Sequence, residues 1–201
     1  DPIEMRVVSV LDESTVEVKF RPHNDDDFQY YTIYREVDGV GFVPIYQSPY
    51  INDTTFLDTN VDPESSSQCY KVTVTNYCGT ESSLALTGQH CTMDATTTIL
   101  PSQILVRWTP YVGWNQVQQY EVYKVENYNE DQATFVTVLP GNAFQYAEPV
   151  ENCFNDISYR IRAIGQDTDQ VSWSDSTSAI SEVTQSLNGT AVIRATVENN
   201  E

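Results

Sequence analysis

Four cysteines are the residues of this chain best suited to covalent chemistry, namely Cys69, Cys78, Cys91 and Cys153. They form no C-x-x-C motif and have no histidine at zinc-ligand spacing, so they favour a disulfide over a metal site. If the chain turns back near Gly79-Thr80, Cys69 and Cys91 face each other, which predicts a cross-strand disulfide. Other pairings and reduced buried thiols remain open. Cys78 is expected near the turn, far from Cys153.

A run of acidic side chains is the second feature with binding potential. Asp25, Asp26 and Asp27 follow one another, and clustered carboxylates are ligands that Ca²⁺ accepts. The glycine and the distant glutamate of an EF-hand loop are missing, so we favour a solvated acidic loop and keep calcium as the weaker alternative. Asp167 and Asp169 form a still weaker candidate of the same kind. No other cofactor is expected.

Catalytic motifs are missing from the sequence. It contains no G-x-S-x-G, H-E-x-x-H, Walker loop or dinucleotide fingerprint. Its two histidines, His23 and His90, are far apart and have no metal-ligand spacing. Paired carboxylates occur throughout so acidic a chain and carry no information. We predict that the chain is not an enzyme.

The charge balance excludes several classes of partner. Asp and Glu number 29 against 10 Lys and Arg, which gives a formal net charge of −19. Such a field repels nucleic acids and anionic membrane surfaces, so we expect neither as a partner.

No stretch approaches the roughly 18 consecutive apolar residues of a membrane span, and the chain opens at Asp1 without a leader. We expect a soluble protein, mature or excised, without direct membrane insertion.

Two aromatic clusters are suited to specific contacts. Tyr111 and Trp114 lie in a loop of the second half, where we expect them to pack at the joint between two domains or to cap the core of their own domain. Recognition of a carbohydrate or a protein by an exposed Trp114 is the alternative. Arg160 and Arg162 alternate on one predicted strand, so both can stack on Trp173 from the neighbouring strand and stiffen the sheet. Contact with a ligand at this cluster is the weaker alternative.

An internal repeat supplies the elements that position these residues. Tyr31-Thr-Ile-Tyr-Arg35 recurs as Tyr120-Glu-Val-Tyr-Lys124, and Tyr70-Lys-Val-Thr-Val74 recurs as Tyr159-Arg-Ile-Arg-Ala163. The residue numbers differ by 89 in both cases. One offset shared by dissimilar segments is typical of a repeated structural module.

The hydrophobic pattern predicts strands and no helices. Segments 16–20 and 104–108 alternate apolar and polar residues, as half-buried strands do. Further strands are predicted at 42–46, 54–58, 83–92, 135–139, 143–146 and 177–184, and Pro44 marks the first of these as an edge strand. We therefore predict an all-β chain of two sandwiches, residues 1–93 and 94–185, each able to fold alone. Residues 186–201 form a linker or begin a further element.

These residues resemble tandem fibronectin type III modules over about residues 3–184. Trp108 matches the second-strand tryptophan of that family, where the first module has Phe20 instead. Tyr70 and Tyr159 match its tyrosine corner. The phrases Trp108-Thr-Pro-Tyr-Val-Gly-Trp114 and Asn76-Tyr-Cys-Gly-Thr-Glu-Ser82 resemble paired modules of large secreted proteins in gliding Bacteroidota.

The resemblance implies a non-catalytic structural or adhesive module of an exported bacterial surface protein, outside the outer membrane and associated with gliding. Its expected partners are other domains of a larger surface protein, with a protein or glycan ligand as a further expectation. The alternative is a carbohydrate-binding or enzyme-tethering region of a secreted multidomain enzyme.

Overall fold

The computed structural model of the chain describes residues 1–126, 133–149 and 157–179. Every regular element in these ranges is a β-strand, which confirms the predicted all-β class. No helix of the described residues is long and apolar enough to cross a membrane. Cys153 and the predicted terminal segment 186–201 lie outside the described ranges.

The first sandwich comprises β1 (Met5–Asp12), β2 (Thr15–Phe20), β3 (Phe28–Val37), β4 (Gly41–Ser48), β5 (Thr55–Asp58), β6 (Cys69–Asn76) and β7 (His90–Cys91). One antiparallel sheet has the order β1-β2-β5, and the facing sheet has the order β4-β3-β6-β7. β4 is an edge strand, as predicted, because Pro44 has no N–H to give to a neighbour.

The second sandwich repeats this plan with β8 (Ala95–Leu100), β9 (Gln103–Trp108), β10 (Gln119–Glu126), β11 (Thr134–Pro140), β12 (Gln145–Pro149), β13 (Ile157–Ile164), β14 (Val171–Trp173) and β15 (Thr177–Ala179). One sheet has the order β12-β9-β8. The other has the order β11-β10-β13-β14, and β15 also pairs with β13. The predicted class of two tandem fibronectin type III-like sandwiches is confirmed.

Alternating residues build the two cores. Apolar residues at every second position of β2 and β9 are buried, as the pattern predicts: Val16, Val18, Phe20, Ile104, Val106 and Trp108. The largest fully buried side chains of the described residues are the repeated tyrosines Tyr31, Tyr70, Tyr120 and Tyr159. The repeat in the sequence therefore marks equivalent core positions in the two sandwiches.

A buried tyrosine and a carboxylate connect the two sheets in each sandwich. Tyr70 donates a hydrogen bond to Asp58 (3.0 Å), which also pairs with Arg35 (2.7 Å). The equivalent bonds of the second sandwich join Tyr159 to Glu148 (2.9 Å) and Lys124 to Glu148 (2.7 Å). The corner tyrosines thus bond to side chains of the opposite sheet, and the repeat preserves the arrangement with different residues.

Two predicted strands differ in extent from the observed ones. The segment 83–92 contains only β7, because the N–H groups of Leu86 and Thr87 bond to the oxygen of Ser83 and close a turn instead. The strand predicted at 143–146 begins at Gln145 and runs to Pro149, since Ala143 still bonds back to Pro140 in a turn. The strand predicted at 177–184 is described as far as Ala179.

Candidate functional site at the joint between the sandwiches

β1 lies at the edge of the first sandwich and against β14 of the second. Its residues from Met5 to Val10 are all buried, on both faces of the strand. An edge strand normally leaves every second backbone N–H and C=O without a partner in the sheet. Whatever covers this edge must satisfy those groups, because buried backbone polar groups need hydrogen bonds.

Side chains of the second sandwich make these hydrogen bonds. They are Trp114 Nε1 to the Arg6 oxygen (2.6 Å), the Val8 N–H to the Tyr111 hydroxyl (2.9 Å), Ser172 Oγ to the Val8 oxygen (2.7 Å) and the Arg160 guanidinium to the Val10 oxygen (3.0 Å). In addition, the N–H of Trp173 donates to the Ser9 hydroxyl (2.9 Å). The second sandwich therefore covers the edge of β1 with specific polar contacts.

Arg6 adds a charged cluster to the joint. Its guanidinium donates to Glu4 (2.7 Å) on its own side, and across the joint to Asp167 (2.6 Å) and to both carboxylate oxygens of Asp169. The side chain of Arg6 is only 8% exposed, whereas its acidic partners are more than half exposed. These hydrogen bonds, that to Asp169 first, raise the pKa of Arg6, and the pKa of Asp169 is lowered in turn.

His90 and the loop that begins at Tyr111 form the centre of the joint. His90 Nδ1 lies 2.9 Å from the Tyr111 hydroxyl, and the N–H of Cys91 donates to the Val112 oxygen (3.1 Å). Burial, followed by the charge of Arg6, lowers the pKa of His90 to about 4. The Tyr111 hydroxyl also accepts the N–H of Val8, so this oxygen connects the His90 imidazole to the backbone of β1.

Gly113 allows this close approach. Its φ of +128° is one that residues with a side chain rarely adopt, and a Cβ there would lie 2.3 Å from His90 Cγ. The glycine of the Trp108-Thr-Pro-Tyr-Val-Gly-Trp114 phrase is thus required by the joint. The same loop places Trp114 against Tyr111, with ring centroids 3.9 Å apart.

The connection between the sandwiches is held by Asp175. Its carboxylate accepts the N–H of Ala95 (2.7 Å), and its own N–H lies 3.4 Å from the Met93 oxygen. Met93, at the predicted domain boundary, is completely buried in the second core. Burial raises the pKa of Asp175 to about 7. The connecting residues are therefore fixed to the last strands of the second sandwich.

The aromatic residues singled out in the sequence lie at or beside this joint. Tyr111 is 6% exposed and Trp114 is partly buried, so the two rings do not form a flat exposed strip. The guanidinium carbons of Arg160 and Arg162 lie 5.3 and 5.5 Å from the Trp173 ring centre. Because Arg160 also bonds to β1, this stack stands next to the covered edge.

The acidic candidates separate into two groups. Asp167 and Asp169 form ion pairs with Arg6, so their charges are balanced by a side chain of the same protein. Asp25 and Asp27 lie with His23 in one cluster, and exposed Asp26 is not part of it. Sequence reasoning did not group His23 with the acidic loop, because spacing alone does not show how a loop folds.

The predicted disulfide between Cys69 and Cys91 is confirmed and joins paired residues of β6 and β7. Cys78 is an exposed free thiol beside the turn that follows β6.

Sequence reasoning missed β1 and Arg6. The available signal was the run Met5-Arg-Val-Val-Ser-Val10, whose apolar residues fall on both faces of a strand, as they do when both faces are covered.

Comparisons with known proteins add likenesses of fold. No protein-family model matches the chain, and no curated protein matches it significantly. A two-domain fibronectin type III segment from chicken tenascin aligns with 89% of this chain and 98% of its own, at 15% identity and a TM-score of 0.38. The central fibronectin-III array of RIM-binding protein aligns with 90% of this chain and 70% of its own, at 12% identity and a TM-score of 0.38.

A pectate lyase from Pectobacterium carotovorum aligns at 12% identity and a TM-score of 0.40, over 44% of this chain. The match spans 27% of the lyase chain. At these scores the fold assignment rests on the strand order and the two cores. By that order, the chain consists of two tandem sandwiches of the fibronectin type III type.

Proposed function

We propose that this chain is a non-catalytic structural module in which two sandwiches form one stiff unit, acting as a spacer or a protein-interaction surface. The observation that carries the proposal is the covered edge of β1. Four side chains of the second sandwich bond to the backbone of that strand, and Arg6 pairs across the same joint. A flexible linker between independent modules requires none of these contacts.

Stiffness is testable by distance measurements between spin labels. One label is attached to the exposed thiol of Cys78 and the other to Val138→Cys on an exposed position of β11, in a chain carrying Cys153→Ser. Cys69 and Cys91 are protected by their disulfide. We expect a narrow distance distribution for the parent chain and a broad one when Arg6→Ala is combined with Trp114→Ala.

The matched control is Lys19→Ala, which removes a cation from the adjacent strand β2, where it pairs with Glu17. This variant should keep the narrow distribution. A distribution that is already broad in the parent chain would contradict a stiff unit and leave two loosely tethered modules.

We further propose that the parent protein is exported to the surface of a bacterium, with gliding Bacteroidota as the source that the sequence resembles. The disulfide supports an oxidising compartment, because structural disulfides are rare in the cytosol. Cys78 offers the test, since a membrane-impermeant maleimide should label it on intact producing cells. Labelling only after lysis would place the chain inside the cell and contradict export.

Carbohydrate binding is the second candidate, favoured by an open groove of about 510 Å³ beside Trp114. Amide side chains line it together with that indole: Asn115, Gln116, Gln118 and Asn142. A glycan-array signal lost in Asn142→Ala would support recognition, because Asn142 is exposed and outside the joint. Trp114→Ala alone is ambiguous, since it also removes a bond to β1.

A further inference from the structure

A histidine and two aspartates converge at the loop between β2 and β3. His23 Nε2 lies 3.4 Å from Asp25 Oδ2 and 3.7 Å from Asp27 Oδ1. One ligand atom from each of the three residues falls within 4.8 Å of the others. The imidazole is largely buried, with its side chain 10% exposed, whereas both carboxylates reach solvent.

The separations of His23 from the two carboxylates fit a shared cation better than direct hydrogen bonds. Hydrogen bonds from N–H to oxygen span roughly 2.7–3.2 Å, and both separations are longer. Zinc lies about 2.0–2.2 Å from nitrogen and oxygen ligands, so two ligands at a tetrahedral angle are roughly 3.3–3.6 Å apart. The separations of His23 from Asp25 and Asp27 lie at or close to this range.

Contacts outside the cluster hold the ligands in place. The backbone N–H of His23 donates to the Tyr31 hydroxyl (2.7 Å), which is anchored in turn on Ile51 (2.9 Å). Asn76 donates to Asp27 Oδ2 (3.1 Å), which leaves Oδ1 directed at His23. The N–H of Tyr77 bonds to the backbone oxygen of Asp27 (2.9 Å). Outer contacts of this kind orient ligands at metal sites.

We propose that His23, Asp25 and Asp27 form a binding site for a divalent first-row transition-metal ion, with Zn²⁺ as the probe. The imidazole favours such an ion over Ca²⁺, which takes oxygen ligands. The net charge of −19 attracts cations to the whole surface. Three protein ligands leave a further coordination position for water or for a group from a partner. This site is independent of the stiffness of the joint.

Calorimetric titration and thermal melting with Zn²⁺ test the site. The protein is tag-free and carries Cys78→Ser and Cys153→Ser, so that thiolates do not compete for the metal. We expect binding with one ion per chain and a rise in melting temperature with excess Zn²⁺, but no such rise with Ca²⁺. Substitution by Co²⁺ should give the visible absorption of a nitrogen- and oxygen-ligated ion.

Three variants separate a built site from attraction to an acidic surface. His23→Gln and Asp27→Asn should each weaken Zn²⁺ binding at least tenfold while keeping the fold by circular dichroism. Asp26→Asn, the matched control in the same loop, should leave the affinity unchanged. Equal losses in Asp26→Asn and Asp27→Asn, retained affinity in His23→Gln, or no saturable binding would overturn the proposal.

Discussion

Trp114 donates its indole N–H to the backbone oxygen of Arg6 over 2.6 Å, although the two residues are 108 positions apart. Arg6 is thereby bound twice, since its guanidinium also pairs with Asp167 and Asp169 of the second sandwich. A single residue of β1 therefore contacts the second sandwich through both its backbone oxygen and its guanidinium. This double attachment makes Arg6 the first position at which to test the joint.

Replacing Arg6 by methionine should lower the free energy of unfolding by about 1–3 kcal/mol, because buried charge-assisted bonds are lost while the acidic partners remain solvated. Urea unfolding followed by tryptophan fluorescence measures the change. Lys19→Met removes a half-exposed ion pair of β2 and should cost less than about 1 kcal/mol. Equal costs for the two variants would contradict a special role for Arg6.

Gly113→Ala should destabilise the chain by about 1–3 kcal/mol, because the new Cβ meets His90 in a backbone conformation that alanine rarely adopts. Gly79→Ala is the matched control, since its φ is also positive, at +75°, but no atom of the described residues lies within 4 Å of the added Cβ. Thermal melting should show a clearly larger loss for Gly113→Ala. Equal losses of stability in the two variants would show that the contact with His90 does not contribute to the destabilisation.

Arg35→Met should cost more stability than Lys124→Met, although the two cations occupy repeat positions. The side chain of Asp58, which Arg35 neutralises, is 5% exposed, whereas that of Glu148, beside Lys124, is 23% exposed. Leaving a buried carboxylate unpaired costs about 3 kcal/mol or more, against about 1 kcal/mol at a solvated site. Chemical denaturation of both variants gives the comparison, and a reversed order would refute it.

Reduction of the Cys69–Cys91 disulfide should lower the unfolding free energy by about 2–4 kcal/mol, because the bridge closes a loop across a sequence separation of 22. Unfolding with and without a phosphine reductant measures the loss. The double variant Cys69→Ala and Cys91→Ala should behave like the reduced chain. Cys78→Ser should be indistinguishable from the parent, since that thiol is free and exposed.

Two buried groups should give the joint opposite responses to acid. The pKa of His90 falls from 6.5 to about 4 on folding, so the unfolded chain binds more protons there and stability is lost as pH falls through this window. The pKa of Asp175 rises from 3.8 to about 7, so the folded chain binds more protons and stability is lost as pH rises. The two contributions oppose each other between about pH 4 and pH 6.5.

Asp175→Asn should therefore make the loss of stability between pH 6.5 and pH 4 steeper than in the parent chain. Adding His90→Gln to that variant should flatten the curve again. Melting temperatures across this range, recorded at constant ionic strength, provide the measurement. An unchanged slope in Asp175→Asn would show that its carboxyl group titrates outside the range.

The residues of the cores were predictable from local patterns, because apolar and polar residues alternate along each strand and the apolar ones are buried. Val16, Val18 and Phe20 are an example. The disulfide was predictable from the position of one turn. Cys69 and Cys91 are paired across β6 and β7 as expected, even though a turn over residues 84–87 replaces part of the predicted strand.

The joint was less accessible from the sequence, since its partners are more than a hundred positions apart. A joint role for Tyr111 and Trp114 was expected, but no pattern pointed to β1 as the surface they bind. Likewise, Asp167 and Asp169 resembled a weak cation site because Arg6, their partner, lies near the other end of the chain. The grouping of His23 with Asp25 and Asp27 depends on a loop conformation that spacing does not specify.

The covered edge of β1 has a consequence for synthesis on the ribosome. Val8 is synthesised before Ser172, whose hydroxyl donates to the Val8 oxygen from 164 positions later in the chain. The first sandwich can collapse around its own core while β1 still presents an open edge, which is a template for pairing with other nascent chains. Delay in translating the second sandwich should therefore promote aggregation of the first.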